Sequence, residues 1–168
     1  MSVLGIDEIT FAATDLPRCK QFCADWGMRL VSESALELVF ETLNGGRVIV
    51  ADPARPGLPP GLEADPTVRE VVWGVPDEAE LRRLGEAMRQ QAGYVEQEGR
   101  VGCTDPNGLA VRMQVSRKTA VTPVCAQTNT WSERPRLNQP SPAYERAQPI
   151  EVGHVVFFVK DLAATTAF

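Results

Sequence analysis

Three stretches of the sequence share one pattern: IDEITFAATDLPRCKQF (residues 6–22), VREVVWGVPDEAELRRL (68–84) and VGHVVFFVKDLAATTAF (152–168). In each, a polar residue (Glu8, Glu70 or His154) precedes an apolar run that is rich in β-branched and aromatic residues. Such runs predict short strands. An aspartate follows seven positions after the polar residue and predicts the N-cap of a helix, because a carboxylate accepts the free N–H groups of a first turn. The repeat therefore predicts three strand–helix units.

The segments that follow the first two units also match each other. ALELVFETL (35–43) and RVIVAD (47–52) flank Asn44-Gly45-Gly46, which favours a hairpin because these residues tolerate positive φ. LAVRMQV (109–115) follows Asp105-Pro106-Asn107-Gly108, a tight-turn sequence. Residues 5–52 and 68–115 are therefore each predicted to form a strand, a helix and three further strands.

The remaining chain divides into a linker and a further fragment. Residues 116–150 are polar and proline-rich, and about 35 residues without periodicity are too many for an ordinary loop, so we predict an interdomain linker. Residues 151–168 repeat the opening strand and helix, and we predict that they begin a second domain whose remainder is not in this sequence. Alternatively, residues 152–168 pair with another chain or pack onto the first domain.

Composition excludes several classes of protein. The 168 residues are 43% apolar and 23% charged, with a net charge of −5, which is the balance of a soluble globular protein and argues against a nucleic-acid surface. No stretch approaches the ~20 apolar residues of a membrane span, and the N-terminus lacks the pattern of a signal peptide. We therefore expect a cytoplasmic protein with free thiols that binds neither nucleic acid nor membrane.

The motifs EITFAATDL, EVVWGVPDEAEL, GHVVFFVKDL and TDPNGLAVRM in tandem modules resemble the vicinal oxygen chelate superfamily. This superfamily includes glyoxalases, bleomycin-resistance proteins and extradiol ring-cleaving dioxygenases. The resemblance covers residues 5–115 and 152–168. It implies an α+β fold in which paired βαβββ modules (residues 1–115) form a curled mixed sheet with helices outside, around a cavity for a divalent metal and a substrate.

The resemblance also marks three metal-ligand positions, and this sequence fills them with Glu8, Glu70 and Arg112. The family usually has His on a first strand and Glu on a last strand. Arginine has no lone pair to donate and stays charged. We therefore expect a metal-free N-terminal domain in which Arg112 is an internal counter-ion for the two carboxylates. The alternative is that Glu8 binds a metal with ligands that lie elsewhere.

Two-domain extradiol dioxygenases resemble this arrangement, with a metal-free N-terminal domain before a catalytic one. In the third copy the ligand position holds His154, the only histidine, and imidazole is a common ligand of Fe, Mn and Zn. The resemblance implies that His154 is a metal ligand, that Fe(II) is the favoured metal with Mn or Zn as alternatives, and that the other ligands lie past Phe168. A hydrogen-bonded packing role is the alternative for His154.

The predicted function is that of the N-terminal part of an extradiol-type dioxygenase that acts on a small catechol-like or other vicinal-oxygen molecule, as a homo-oligomer such as a dimer. The 168 residues alone are expected to be inactive, since they lack at least two ligands. The alternative function is a small-molecule-binding protein without catalysis, similar to a glyoxalase or a bleomycin-resistance protein, with Trp73 lining the cavity. A purely structural N-terminal domain is a third hypothesis.

Overall fold

A computed structural model of the chain describes residues 3–63, 67–122, 129–135 and 146–168. It contains two consecutive βαβββ modules, and this confirms the predicted α+β fold. The first comprises β1 (Gly5–Ala12), α1 (Leu16–Asp25), β2 (Arg29–Glu33), β3 (Glu37–Glu41) and β4 (Arg47–Ala51). The second comprises β5 (Val68–Val75), α2 (Glu78–Met88), β6 (Val95–Gln97), β7 (Arg100–Thr104) and β8 (Ala110–Val115). A last helix, α3, spans Leu162–Ala167.

The eight strands form one mixed sheet in the order β2-β3-β4-β1-β5-β8-β7-β6. The two modules join where β1 pairs antiparallel with β5, with Glu8 opposite Val72 and Thr10 opposite Glu70. Within each module, the first strand pairs parallel with the last one, β1 with β4 and β5 with β8. The first strands of both modules therefore lie at the centre of the sheet.

Each helix begins at the predicted aspartate. The side chains of Asp15, Asp77 and Asp161 accept hydrogen bonds from backbone N–H groups three residues later, at 3.0, 2.9 and 2.9 Å. Pro17 lies in the first turn of α1, where its missing N–H donor leaves no hydrogen bond unmade. The same capping chemistry thus starts all three helices.

The helices α1 and α2 pack against one face of the sheet, and each covers its own apolar cluster. Beside α1, the cluster includes Leu16, Cys23, Ile9 and Phe40, which is fully buried. Beside α2, Leu81 and Leu84 bury against Val75 and Val101, so one face of this helix carries an apolar stripe.

The third copy differs from its prediction at the strand and agrees at the helix. The apolar run VVFFV (155–159) pairs with no strand among the described residues. Instead Val152, Val155 and Phe157 pack against the cluster beside α1. The physical reason is that a strand needs a neighbouring strand for its backbone groups, and this run has none among the described residues. Residues 152–157 therefore contact the first domain in this structure.

The linker predicted over residues 116–150 lies partly outside the described residues, at 123–128 and 136–145. Its two ends meet at the β3–β4 hairpin. The backbone N–H of Thr119 donates to the carbonyl of Asn44, and the N–H of Asn44 donates to the carbonyl of Ile150, at 2.9 and 3.0 Å. We call residues 146–157 the strap, because they contact in turn the end of α1, this hairpin and the cluster beside α1.

Among the described residues, none of the helices has the length and apolar content that crossing a membrane requires.

Candidate functional site

The sheet face opposite α1 and α2, here called the inner face, carries the charged residues. Side chains alternate between the two faces of a strand. Ile9, Val71 and Val111 belong to the clusters under the helices, so their neighbours Glu8, Glu70 and Arg112 project from the inner face. The three positions expected to be ligands in the family therefore share one face of the sheet.

Two arginines pair with the two glutamates on this face. An Nη of Arg100 donates to Glu8 Oε2 at 2.7 Å, and Arg112 Nε lies 3.4 Å from Glu70 Oε2. The other Nη of Arg100 is 4.0 Å from Glu70 Oε1, so one arginine spans both carboxylates. Only 5% of the Glu8 side chain is exposed, and a carboxylate buried to that degree requires a partner of opposite charge.

A glycine on the neighbouring strand makes room for Arg112. Gly102 lies opposite Arg112 in the β7–β8 ladder, and a Cβ at Gly102 would lie 2.6 Å from Cδ of Arg112 and 2.2 Å from the carbonyl oxygen of Val111. The space lets Arg112 lie close to β7, where its Nη1 donates to the carbonyl of Cys103 at 2.8 Å. Backbone hydrogen bonding therefore fixes the guanidinium in place.

Arg100 is the member of the cluster that sequence reasoning missed. The sequence signal that could have found it is the two-residue spacing of Arg100 and Gly102 at the start of β7. In the β7–β8 ladder, Arg100 lies opposite Gln114 and Gly102 lies opposite Arg112. This alternation puts Arg100 on the inner face once β7 is aligned with β8. The repeat does not predict how β7 aligns with β8, so it could not place Arg100 beside the glutamates.

A second buried carboxylate, Asp7, lies beside the cluster and was also missed. Asp7 is 3% exposed; it sits at an irregularity in the β1–β5 register, and Gly74 leaves space for its carboxylate. It accepts hydrogen bonds from Ser116 Oγ at 2.9 Å, Gln114 Nε2 at 3.1 Å and the backbone N–H of Arg117 at 3.2 Å. Asp7 thus anchors the chain directly after β8.

The inner-face residues do not fit a metal ion. Glu8 and Glu70 face guanidinium groups that compete for their oxygens, and Arg112 offers no lone pair. Nowhere in the described ranges do three His, Cys, Asp or Glu side chains lie close enough together to hold a metal. No chemical step through a metal therefore follows from these residues.

The structure places His154 away from this cluster. His154 lies in the strap, exposed, and lines a cavity of about 810 Å³ between α1, β1, β4 and residues 149–156. Ile9 lines the same cavity, so the cavity is on the helix side of the sheet and Glu8 is on the other side. The structure brings Glu8, Glu70 and Arg112 together and keeps His154 apart from them.

Trp73 was expected to line a small-molecule cavity, but it does not border this one. It packs against the apolar cluster beside α1. The residues that do border the cavity come from α1, from the strands beneath α1 and from residues 149–156.

Comparison with solved structures identifies the architecture. The chain matches a catechol 2,3-dioxygenase with a TM-score of 0.55 at 13% identity, covering 69% of this chain and 41% of that one. It also matches the homoprotocatechuate 2,3-dioxygenases of Brevibacterium fuscum and Arthrobacter globiformis, both with a TM-score of 0.52, at 10% and 13% identity. These two matches cover 71% of this chain, and 39% and 38% of the respective dioxygenases.

The chain has the fold of the extradiol dioxygenases. This confirms the vicinal oxygen chelate fold predicted from the repeat. At these levels of identity the likeness concerns the fold, since one fold supports many functions. The chain spans about two-fifths of the length of the dioxygenases that it matches. No protein-family model and no curated protein matches the sequence.

Proposed function

We propose that this chain is the N-terminal part of a two-domain, metal-dependent dioxygenase of the extradiol type that acts on a small catechol-like molecule. In this proposal residues 1–115 form a metal-free domain, residues 116–150 link the domains, and residues 151–168 begin the catalytic domain. The observation that carries the proposal is the shared fold with catechol and homoprotocatechuate 2,3-dioxygenases over about two-fifths of their length.

The charge cluster supports the metal-free role of the first domain. Glu8 and Glu70 occupy the positions where the family carries ligands, and Arg100 and Arg112 neutralise both. A pair that is buried and satisfied in this way holds the centre of the sheet together and leaves no coordination position open. The domain would therefore support its neighbour, while the chemistry takes place elsewhere.

The role proposed for His154 rests on the third copy of the repeat. Its helix has the same aspartate cap as α1 and α2, and His154 holds the position of Glu8 and Glu70 in that copy. We propose His154 as the first ligand of a metal site, with Fe(II) as the metal, that is completed by residues outside this sequence.

The test is to express the full-length product of the gene that encodes this chain and to measure its bound metal by mass spectrometry. Oxygen uptake with catechol and homoprotocatechuate gives the activity. We expect about one iron per chain, and we expect His154→Ala to lose both iron and oxygen uptake. A full-length protein that folds but binds no divalent metal would exclude the proposal.

A second candidate is a metal-free small-molecule-binding domain. The observation that favours it is the large cavity beside α1, which belongs to the described chain itself and needs no metal. Under this candidate, the full-length protein would bind an aromatic molecule without consuming oxygen.

A further inference from the structure

A small cavity lies where β1 and the end of β8 meet the β3–β4 hairpin. Its volume of about 310 Å³ is at the lower end of the range of roughly 300–1,000 Å³ that ligand pockets occupy, so it suits a small molecule. Of the three positions where the superfamily carries metal ligands, Glu8 borders this cavity, whereas Glu70 and Arg112 do not. The cavity shares no residue with the one beside α1 and is therefore a separate site.

A buried oxygen atom of Gln114, which borders this cavity, has no hydrogen-bond partner among the described residues. Gln114 is 3% exposed. Its Nε2 donates to Asp7 Oδ2 at 3.1 Å, and this bond fixes the orientation of the amide because a carboxylate only accepts. The other amide atom, Oε1, is left without a donor. A buried acceptor without a donor is unfavourable, so a ligand that donates to Oε1 would be stabilised there.

The acidic groups deepest in this cavity are buried, and its basic groups are exposed. Asp7 and Glu8 are 3% and 4% exposed, whereas 39% of the Arg47 side chain is exposed and Arg117 is exposed as well. Arg47 Nε lies 3.9 Å from Glu41, which is beyond hydrogen-bonding distance. The Arg117 guanidinium pairs with no carboxylate in the described ranges. The cavity is thus acidic where it is buried and basic where it opens.

This arrangement of charge fits a molecule that carries both signs. An ammonium group has three donors and no acceptor, so it matches Gln114 Oε1 beside Asp7 and Glu8. The Gln114 amide already donates to a carboxylate, which makes its oxygen a stronger acceptor. A carboxylate matches the guanidinium groups of Arg47 and Arg117. An anion alone would meet the buried carboxylates, and a cation alone would leave both arginines without a partner.

We propose that this cavity binds a small zwitterionic amino acid, with its ammonium group on Gln114 Oε1 and its carboxylate on Arg47 and Arg117. The site goes beyond the proposed dioxygenase function, because it needs neither a metal nor a second domain. The two proposals therefore fail separately, since iron binding by the full-length protein does not bear on this cavity.

The experiment is a titration of the ¹⁵N-labelled 168-residue chain with L-alanine, ethylamine and propionate, followed by NMR. Ethylamine lacks the carboxylate of L-alanine, and propionate lacks its ammonium group. We expect L-alanine to cause saturable shifts at the side-chain amide of Gln114 and at the backbone of residues 43–47 and 114–119. Ethylamine should bind more weakly at the same place, and propionate should give no saturable shift.

Two substitutions separate the two ends of the site. Gln114→Met removes the acceptor at similar size and should weaken L-alanine and ethylamine by roughly tenfold or more, the size of a hydrogen bond to a charged group. Arg117→Ala should weaken L-alanine roughly 2- to 5-fold, the size of an exposed ion pair, and leave ethylamine unchanged. Arg82→Ala is the matched control, because Arg82 is exposed on α2 and should change neither affinity.

If Gln114→Met fails to fold, Leu43→Trp takes its place. Leu43 borders the cavity and is 48% exposed, so a larger side chain there would fill space without displacing buried groups. It should weaken L-alanine several-fold.

Three results would overturn the proposal. They are the absence of a saturable shift with L-alanine, equal affinity for L-alanine in Arg117→Ala and Arg82→Ala, and propionate that binds as tightly as L-alanine, which would make the cavity an anion site.

Discussion

Glu8 occupies a position where the superfamily usually has a metal ligand, but here its carboxylate forms an ion pair with Arg100. Its carboxylate is almost fully buried, and Arg100 and Arg112 supply the positive charge on the inner face. A carboxylate and a guanidinium can satisfy each other only while both are present. Removing one leaves the other with an uncompensated charge, and this is where the cost of a substitution arises.

We expect Glu8→Ala to destabilise the chain by about 2 kcal/mol, less than for a fully buried pair because the Arg100 side chain is 27% exposed. Urea denaturation of the chain measures this. Arg83→Ala is the control, since its pair with Glu80 lies at the surface of α2 and should cost less than about 1 kcal/mol. Equal losses in the two variants would show that the inner-face pair is not buried in solution.

A second prediction at this scale concerns pH and Cys23. Burial raises the pKa of this thiol to about 11 in the folded chain, from an ordinary value of 9.0. Between these values the unfolded chain releases the proton and the folded chain keeps it, so the free energy of unfolding falls as pH rises, by at most about 1.4 kcal/mol per pH unit. Below pH 9 the stabilisation is fully present.

The measurement is the free energy of unfolding at pH 8, 9, 10 and 11 for the natural chain and for Cys23→Ala. Other groups titrate in both proteins, so the difference between the two slopes isolates the thiol. Parallel slopes would mean that Cys23 is open to water.

At the residue scale, the sequence predicted where the inner-face residues lie better than it predicted which side chains they pair with. The offset to the aspartate located Glu8 and Glu70, and the turn before LAVRMQV located Arg112. Arg100 and Asp7 escaped because their roles depend on contacts across strands. Asp7 faces Gln114 and Ser116 through an irregularity in β1, and no local pattern predicts that irregularity.

At the scale of elements, β7 and β8 can pair closely because Gly102 has no Cβ. Gly102→Ala would force a Cβ to within 2.2 Å of the Val111 carbonyl oxygen, and a backbone atom cannot move aside as a flexible side chain can. We expect a loss of about 2–3 kcal/mol in the free energy of unfolding. Gly153→Ala is the matched control, because a Cβ there meets no atom within 4 Å.

Two of the three helix caps allow one substitution to be compared in two settings. Asp77→Ala should cost about 1 kcal/mol of stability, since α2 carries the buried Leu81 and Leu84. Asp161→Ala should leave the thermal midpoint unchanged, because α3 buries no residue. Thermal denaturation monitored by circular dichroism compares them, and a large shift in Asp161→Ala would indicate that α3 is part of the cooperative unit.

The elements themselves could be predicted well, because their signals are local. Apolar runs, aspartate caps and the Asn44-Gly45-Gly46 turn each act within a few residues, and they predicted the eight strands and three helices in the right order. The run at 155–159 carries the same local signal as β1 and β5 but forms no strand. Whether this run forms a strand depends on a neighbouring strand that it can hydrogen-bond to. The periodicity of a sequence does not show whether such a strand is present.

At the scale of the whole molecule, every second side chain near the end of the strap packs against the first domain. Val155 and Phe157 face the cluster beside α1, while Val156 and Phe158 are 79% and 91% exposed. Apolar residues therefore lie on both sides of this segment, and only one side is covered by the described residues.

Two adjacent phenylalanines test this arrangement. Phe157→Ala should destabilise the 168-residue chain by about 1–2 kcal/mol, because it removes a half-buried ring. Phe158→Ala should change stability by less than about 0.5 kcal/mol. Urea denaturation of both variants is the measurement, and equal effects would show that the strap does not pack on the first domain in solution.

The hairpin at Asn44 has a consequence for what lies between the ends of the linker. Because Thr119 and Ile150 both bond to Asn44, the chain leaves the first domain and returns to it at one point, with residues 120–148 between. Doubling the length of such a connection costs only about 0.6 kcal/mol of closure entropy. A reporter domain or an affinity tag inserted at residues 129–135, which are exposed, would leave the sheet and the strap where they are, so these residues are a suitable place to label or extend the protein.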